Sequence, residues 1–325
     1  MIKLETSYLG LTLKSPLIVA SSGLTNSVEK IRKFEELGAG AVVLKSLFEE
    51  QINYEAGMLL ENGLYPEAHD YITGYSKTHS VEEYLKLIEE AKKAVTIPVI
   101  ASINCMSANE WVTFARDIEK AGADALELNI FFVASDKEQS SEQYEKLYHD
   151  LIVKVKQVTQ IPLAAKIGYY FTNLAGMVNN LYFRGVKGVV LFNRFYEPDI
   201  DIEKMKLTTS GVFSSPADIR QSLRWVGIIS DRVKNIDIAA STGIHDGKAV
   251  IKQILAGAKA VQICSVLYKK GEEHLKVIAG ELESWMSRKG FNSIEAFRGK
   301  LNYHKIPDPS VYERTQFMRY FSSYR

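Results

Sequence analysis

Four copies of one short pattern constrain the fold of this chain more than any other feature. In each copy a glycine and further small residues follow a helix-like stretch and precede a short apolar run, and the copies begin at Gly38, Gly122, Gly185 and Gly257. A glycine there is typical of a helix C-terminus, where the chain adopts a left-handed conformation. The short run after it is typical of a strand buried on both faces. Each copy therefore predicts a helix end followed by a buried parallel strand.

A second set of strand signals falls between those copies. Pro16, Pro98 and Pro162 open apolar runs, where a missing N–H is tolerated at the start of a strand, and residues 235–239 take the corresponding place later. Interleaving both sets predicts eight strands that start near residues 16, 41, 98, 124, 162, 187, 236 and 259. Eight βα units over roughly 250 residues are the signature of a (β/α)8 barrel. A doubly wound open sheet also alternates strands and helices, but no G-x-G-x-x-G fingerprint follows the first strand.

The prediction is thus an α/β protein, a (β/α)8 TIM barrel with loop insertions that cap its C-terminal face. We expect residues 1–325 to form a single domain. The two insertions cover about residues 46–80, after the second strand, and 194–215, after the sixth. Both are rich in Tyr, Asn, Gly and Ser, and barrel enzymes keep their chemistry on this face. The insertions are therefore expected to act as a lid or a substrate loop.

Charge and cysteine content exclude several classes of protein. The 40 Lys and Arg residues balance 39 Asp and Glu, which provides no general field to attract nucleic acid or an anionic membrane. Two cysteines, Cys105 and Cys264, cannot supply an iron–sulfur cluster or an all-cysteine zinc site, and no metal site is predicted. The first residues do not resemble a secretory signal and no apolar run is long enough to cross a bilayer. We therefore expect a cytoplasmic protein.

Polar side chains are predicted to converge where the barrel strands end. Lysines end the second and fifth strands and asparagines end the third, fourth and sixth: Lys45, Lys166, Asn104, Asn129 and Asn193. A lysine after an apolar strand is costly to bury without a partner. The two lysines either serve a ligand at the mouth of the barrel or pair with acids such as Glu127.

Small residues end the last two strands. Ser241, Thr242 and Gly243 end the seventh strand, and Cys264 and Ser265 end the eighth, each before a helical pattern. Barrels often hold a phosphate at this place, on backbone N–H groups. Flavin mononucleotide (FMN) fits a phosphate site facing cations and amides, because a cation near its pyrimidine ring stabilises the reduced flavin. A phosphosugar substrate is the competing interpretation.

The order and spacing of these motifs resemble those of the dihydroorotate dehydrogenase family, nearest to its soluble class 1 enzymes. The markers include residues 20–23 (Ala-Ser-Ser-Gly), 45–46 (Lys-Ser), 127–129 (Glu-Leu-Asn) and 238–267. The resemblance implies an FMN-containing barrel, usually a homodimer, that oxidises dihydroorotate to orotate in pyrimidine biosynthesis, with hydride transfer from C6 to flavin N5. A small-molecule substrate is expected, with no nucleic-acid or membrane partner.

The resemblance also implies roles for individual residues. The expected flavin-binding residues are Ala20, Ser21, Lys45, Asn104, Asn129, Lys166, Ser241, Thr242, Gly243, Cys264 and Ser265. The expected substrate-binding residues are Asn62, Asn129 and Asn193. Lys45 and Lys166 are also expected to act in catalysis, by setting the flavin potential and positioning its ring.

The substrate side departs from the family pattern. Phe132 occupies the position of the cysteine that removes the substrate proton in class 1 members, and a phenyl ring cannot take a proton. Ser135 is a candidate replacement, since class 2 relatives use serine, or it is simply a loop residue. Residues 61–67 keep only half of an amide-rich substrate segment, and Arg194 stands where the family usually has Ser or Thr.

Three functional hypotheses follow. The first is an FMN-dependent dihydroorotate dehydrogenase. The second is a divergent flavoprotein reductase for another cyclic substrate, or a non-catalytic FMN-binding relative, because of Phe132. The third is a phosphosugar lyase or isomerase in which Lys166 or Lys45 forms a Schiff base.

Overall fold

The computed structural model describes residues 2–48, 69–104, 108–194, 197–209 and 211–313. The strands of this part of the chain are β1 (Thr6–Tyr8), β2 (Leu11–Leu13), β3 (Leu17–Val19), β4 (Ala41–Val43), β5 (Leu47–Phe48), β6 (Val99–Asn104), β7 (Ala125–Asn129), β8 (Leu163–Ile167), β9 (Gly188–Leu191), β10 (Pro198–Asp201), β11 (Lys206–Thr209), β12 (Asp237–Ser241) and β13 (Ala260–Ile263).

The helices are α1 (Val28–Glu36), α2 (His69–Ala94), α3 (Ala108–Lys120), α4 (Ser141–Lys156), α5 (Leu174–Phe183), α6 (Ile219–Arg232), α7 (Gly247–Ala256), α8 (Ser265–Lys270), α9 (His274–Lys289) and α10 (Ser310–Glu313). Short 3-10 turns cover Gly23–Thr25 and Pro216–Asp218. No described helix has the length and apolar character needed to span a membrane.

Eight parallel strands close into a barrel, which confirms the predicted fold. Their order around the barrel is β4, β3, β13, β12, β9, β8, β7 and β6, and a pairing between β6 and β4 completes the circle. The four glycines of the repeated pattern have φ values of +93°, +91°, +96° and +125°, as expected of the left-handed residue after a helix. Each strand start lies within one residue of the predicted position.

The lower half of the barrel interior is filled by small and branched apolar side chains. Alternate residues of the strands point inward, and these are Ile18, Ala41, Val43, Ile100, Ala125, Ala164, Val190, Ala239 and Ala260. Two residues further along the strands, the inward positions become polar, with Glu127 after Ala125, Lys166 after Ala164 and Gln262 after Ala260. The pleat of each strand therefore places its polar residue one layer higher, toward the C-terminal mouth.

The hairpin of β1 and β2 forms the floor of the barrel. Tyr8, Leu9 and Leu13 pack into the interior cluster. A Cβ on Gly188 at the start of β9 would come within 2.5 Å of the Leu9 side chain, so the hairpin lies directly against the strand. Thr6 Oγ1 donates to the carbonyl oxygen of Lys259 at 3.1 Å, and the Leu9 N–H donates to Asp237 Oδ2 at 2.8 Å. These bonds fix the hairpin beneath β12 and β13.

The second insertion contains more structure than the sequence suggests. Residues predicted as a loop form the antiparallel hairpin of β10 and β11, with Ile200 opposite Leu207, and residues 211–215 then lead to the 3-10 turn before α6. The first insertion contains β5 and the start of α2, and residues 49–68 of it lie outside the described part of the chain.

Candidate active site

A cavity of about 460 Å³ lies at the C-terminal ends of the barrel strands, within the size range of small-molecule sites. Residues from six separate segments line it: Ala20, Ser21, Ser22, Lys166, Asn193, Arg194, Val212, Phe213, Ser214, Ser241, Thr242, Gly243, Ile244, Gln262, Cys264, Ser265 and Tyr268. We call this the mouth cavity. It brings together eight of the predicted flavin-binding residues and Asn193.

Lys166 reaches the mouth cavity from within a buried polar network. Its Nζ donates to Gln262 Oε1 at 3.1 Å and lies 3.6 Å from Glu127 Oε1, and Gln262 Nε2 donates to Glu127 Oε2 at 2.5 Å. Glu127 is 1% exposed and Lys166 is 7% exposed. Lys166 therefore pairs with Glu127, as one interpretation of the sequence predicts, and it also borders the cavity, while its service to a ligand stays a prediction. Sequence reasoning missed Gln262, although a glutamine inside an apolar strand is itself a signal.

Two asparagines meet at the rim. Asn193 Nδ2 donates to Asn129 Oδ1 at 2.7 Å, which joins the ends of β7 and β9. Asn104 ends β6, where it is half-buried and paired in register with β5, and it does not line the mouth cavity. Asn62 lies outside the described residues.

The turn after β12 has the backbone needed for close approach of an anion. Thr242 and Gly243 have φ values of +74° and +80°, and Thr242 Oγ1 donates to the carbonyl of Phe192 at 3.2 Å. A Cβ on Gly243 would stand 2.2 Å from the backbone nitrogen of Ile219, so the turn presses directly on the start of α6. Cys264 and Ser265 also line the cavity: burial raises the pKa of the Cys264 thiol, and Ser265 Oγ accepts a hydrogen bond from the Ser214 N–H at 3.0 Å.

Lys45 lies apart from Lys166. It lines a different cavity of about 520 Å³, bordered by Ser27 before α1 and by Glu83 and Lys86 on α2. Strand β4 ends at Val43, so the inward and outward alternation does not continue to Lys45. The following residue turns inward instead, and Ser46 Oγ lies 3.0 Å from Ser21 Oγ and 2.7 Å from Ser102 Oγ. The structure brings one of the two predicted lysines to the mouth cavity.

The loop after β7 carries its aromatic side chain toward the helix layer. The Phe132 ring meets the Tyr148 ring edge-on at 5.3 Å, and Tyr148 in turn meets Phe171 at 5.4 Å. Burial raises the pKa of Tyr148 to about 12, so its hydroxyl stays neutral. Ser135 is exposed, its N–H donates to the carbonyl of Val133 at 2.9 Å, and it does not line the mouth cavity.

The lining residues have the chemistry that FMN would require. The Thr242–Gly243 turn has left-handed backbone of the kind found in anion sites, and the ammonium of Lys166, paired with buried Glu127, borders the same cavity. The mouth cavity therefore combines residue types suited to an anionic group and to a polar aromatic ring.

Comparisons with known proteins point to one family. The family profile described as dihydroorotate dehydrogenase matches residues 3–286. The catalytic subunit of dihydroorotate dehydrogenase B (NAD(+)) from Thermoplasma volcanium is 27% identical over 312 residues, which cover 92% of this chain and 98% of the relative. A putative dihydroorotate dehydrogenase A (fumarate) from Aeropyrum pernix is 27% identical over 309 residues, with 91% and 97% covered. The B-type catalytic subunit from Methanocaldococcus jannaschii is 27% identical over 293 residues, with 87% and 93% covered.

Proposed function

Because the chain belongs to the dihydroorotate dehydrogenase family, we propose that it is an FMN-dependent oxidoreductase that acts on a ring CH–CH bond. Dihydroorotate, oxidised to orotate in pyrimidine biosynthesis, is the substrate that the names of its relatives support. The observation that carries the proposal is the mouth cavity, which is lined both by Lys166, paired with buried Glu127, and by the Thr242–Gly243 turn.

Different residues of this chain would bind the phosphate, the flavin ring and the substrate. Bound FMN would accept a hydride at N5 and pass the electrons on. The backbone of residues 241–243, with Ser265, would hold the phosphate, and Lys166 would place a positive charge beside the pyrimidine ring, where negative charge develops on reduction. Asn129 and Asn193, already hydrogen-bonded to each other, would present amide groups to the imide edge of a substrate.

Removal of a proton from the substrate is the step that distinguishes two candidate reactions. Oxidation of dihydroorotate requires removal of a proton from C5, and a positioned base contributes typically about 10²–10⁴-fold to such a step. The Phe132 ring packs against Tyr148 and cannot serve, and Ser135 is exposed. This observation favours, as a second candidate, a flavoprotein that reduces another unsaturated ring, for which a soluble hydride donor of the nicotinamide class would supply the electrons and solvent the proton.

The electron acceptor is expected to be either a soluble acceptor such as fumarate, which the name of one relative gives, or a group on another chain. Several relatives are named catalytic subunits of an NAD(+)-linked enzyme, which supports a partner subunit for this chain as well. Two cysteines cannot ligate an iron–sulfur cluster, so an NAD-linked assembly would need a partner that carries one. We also propose a homodimer and a cytoplasmic location, both from family resemblance.

Anaerobic flavin spectroscopy tests the proposal. Protein purified after expression with ample riboflavin should be yellow, and Lys166→Met should bind FMN more weakly. Bleaching by dihydroorotate supports the dehydrogenase, and Phe132→Cys should then accelerate it. Bleaching by dithionite alone, with reoxidation by an unsaturated cyclic acceptor, supports the reductase. A colourless protein that does not bind added FMN would overturn both and leave the Schiff-base lyase, which sodium borohydride would trap with a phosphosugar.

A further inference from the structure

A five-residue segment closes one side of the mouth cavity. We call residues 211–215 the strap, since they run from the β10–β11 hairpin to the turn before α6. Val212, Phe213 and Ser214 line the cavity. Ser214 is 4% exposed, whereas Val212 is 75% exposed. In the second half of the strap packing therefore buries Ser214, whereas the first half is exposed and packing holds it weakly.

The second half is fixed by several independent contacts at Ser214. Its N–H donates to Ser265 Oγ at 3.0 Å, its carbonyl accepts from Lys269 Nζ at 2.8 Å, and its hydroxyl lies 3.0 Å from His245 Nε2. The neighbouring Phe213 ring stacks on Tyr268 with 5.2 Å between centroids. Losing one of these contacts would leave the others in place.

The guanidinium of Arg194 holds the first half. Arg194 Nη1 donates to the carbonyl oxygens of Gly211 and Val212 at 3.1 and 2.8 Å, and Nη2 donates to Gly211 at 3.0 Å. Arg194 Nη2 also lies 3.8 Å from Glu197, and 24% of its side chain is exposed. A planar fork can bridge two successive carbonyls, which a lysine ammonium or a short hydroxyl side chain cannot do with the same geometry.

We propose that Arg194 is a positioning residue that holds the strap closed over the mouth cavity and thereby slows release of bound flavin. Arg194 acts on the strap backbone, 17 and 18 residues along the chain, so its effect on the cofactor is transmitted through Gly211 and Val212. This inference rests on the proposed function for the identity of the ligand. The closure itself concerns only residues of this chain.

Hydrogen exchange measures whether Arg194 holds the strap closed, and the rate of FMN release measures whether the closed strap retains the flavin. Arg194→Met should make backbone amides of the strap exchange about tenfold faster in the FMN-free protein, because it removes the charge-assisted hydrogen bonds that Arg194 donates to Gly211 and Val212. FMN should dissociate about tenfold faster, followed by recovery of flavin fluorescence on dilution. Arg194→Lys should fall between. Arg220→Met is the matched control, because Arg220 carries the same charge nearby on α6 and is not part of the mouth cavity.

The outcomes separate this inference from its premise. Unchanged strap exchange in both Arg194 variants overturns it. Faster FMN release with unchanged exchange also overturns it, because Arg194 would then act by touching the ligand. Equal effects from Arg220→Met would show a general charge effect and refute a strap contact. A protein that binds no FMN overturns the proposed function and the retention half, and the exchange result alone still decides whether Arg194 holds the strap.

Discussion

Replacing Gly243 by alanine is the sharpest test of the turn after β12. A Cβ at residue 243 would lie 2.2 Å from the nitrogen of Ile219, 2.7 Å from its Cα and 2.8 Å from the carbonyl carbon of Asp218. All three atoms belong to backbone at the start of α6, so no side-chain rotation can relieve the contact. The φ of +80° adds a second cost, because alanine disfavours left-handed backbone.

The two costs can be separated with a matched control. The left-handed conformation should cost about 1–2 kcal/mol, and moving packed backbone should cost about 1–3 kcal/mol more, so Gly243→Ala should lower the free energy of unfolding by about 2–5 kcal/mol. Gly38 has a φ of +93° with nothing within 4 Å of the added Cβ. Gly38→Ala should therefore lose only about 1–2 kcal/mol, all of it conformational.

Urea unfolding followed by tryptophan fluorescence gives both values, and FMN titration of the folded variants gives the functional consequence. Gly243→Ala should bind FMN more weakly because the turn must separate from α6, whereas Gly38→Ala should bind normally. Equal stability losses in the two variants would refute the close approach of the turn to α6. Normal FMN binding by Gly243→Ala would refute its place in the phosphate site.

Three further predictions follow from the same geometry. Glu127→Gln and Lys166→Met should each lower the free energy of unfolding by about 3–5 kcal/mol, because each leaves the other charge buried without its partner. In urea unfolding, the double variant should lose less stability than the sum of the two single losses, and additive losses would argue against the pair. Burial, and then the charge of Lys269, lower the pKa of His245, so His245 takes up its proton more readily in the unfolded chain. The contribution of His245 to the free energy of unfolding should therefore be fully present above about pH 6.5 and be lost as the pH drops below it. His245→Gln should flatten the dependence of the melting temperature on pH between about pH 7.5 and 5.5, and an unchanged slope would contradict this. Ser135→Ala should leave the rate of flavin reduction by substrate unchanged, since Ser135 is exposed and outside the mouth cavity, and a large loss of rate in stopped-flow measurements would identify it as the missing base.

The barrel could be predicted from sequence because its signals are local. Proline at a strand start and glycine after a helix act on the residue that carries them, so strand starts agree with the structure to within one residue. The N-terminal hairpin is not predicted, because neither β1 nor β2 carries the proline start or the glycine pattern that marks the barrel strands. Their burial depends on partners at the other end of the chain, which no local pattern can report.

The candidate site also contains residues that local sequence patterns place correctly and residues whose position depends on distant contacts. Lys166 continues the inward alternation of β8, so the strand pattern places it in the mouth cavity. Lys45 has the same position in the sequence pattern, but β4 ends two residues earlier, and pairing with β6 resumes only at β5. Tyr84 fills the resulting gap, accepting from the Ser102 N–H at 2.8 Å and donating to its carbonyl at 3.0 Å. No local pattern in the sequence around Tyr84 or Ser102 indicates that a side-chain hydroxyl replaces a backbone hydrogen bond between strands here.

The floor hairpin imposes an order of events on the newly made chain. Thr6 finds its hydrogen-bond partner 253 residues later and Leu9 finds its own 228 residues later, so neither contact can form until most of the polypeptide has left the ribosome. Until then the apolar side chains of Tyr8, Leu9 and Leu13 remain exposed, and the floor of the barrel cannot form beneath the nascent strands. Maturation of this enzyme is thus tied to the emergence of β12 and β13, and truncated translation products would be expected to be recognised by chaperones as open barrels.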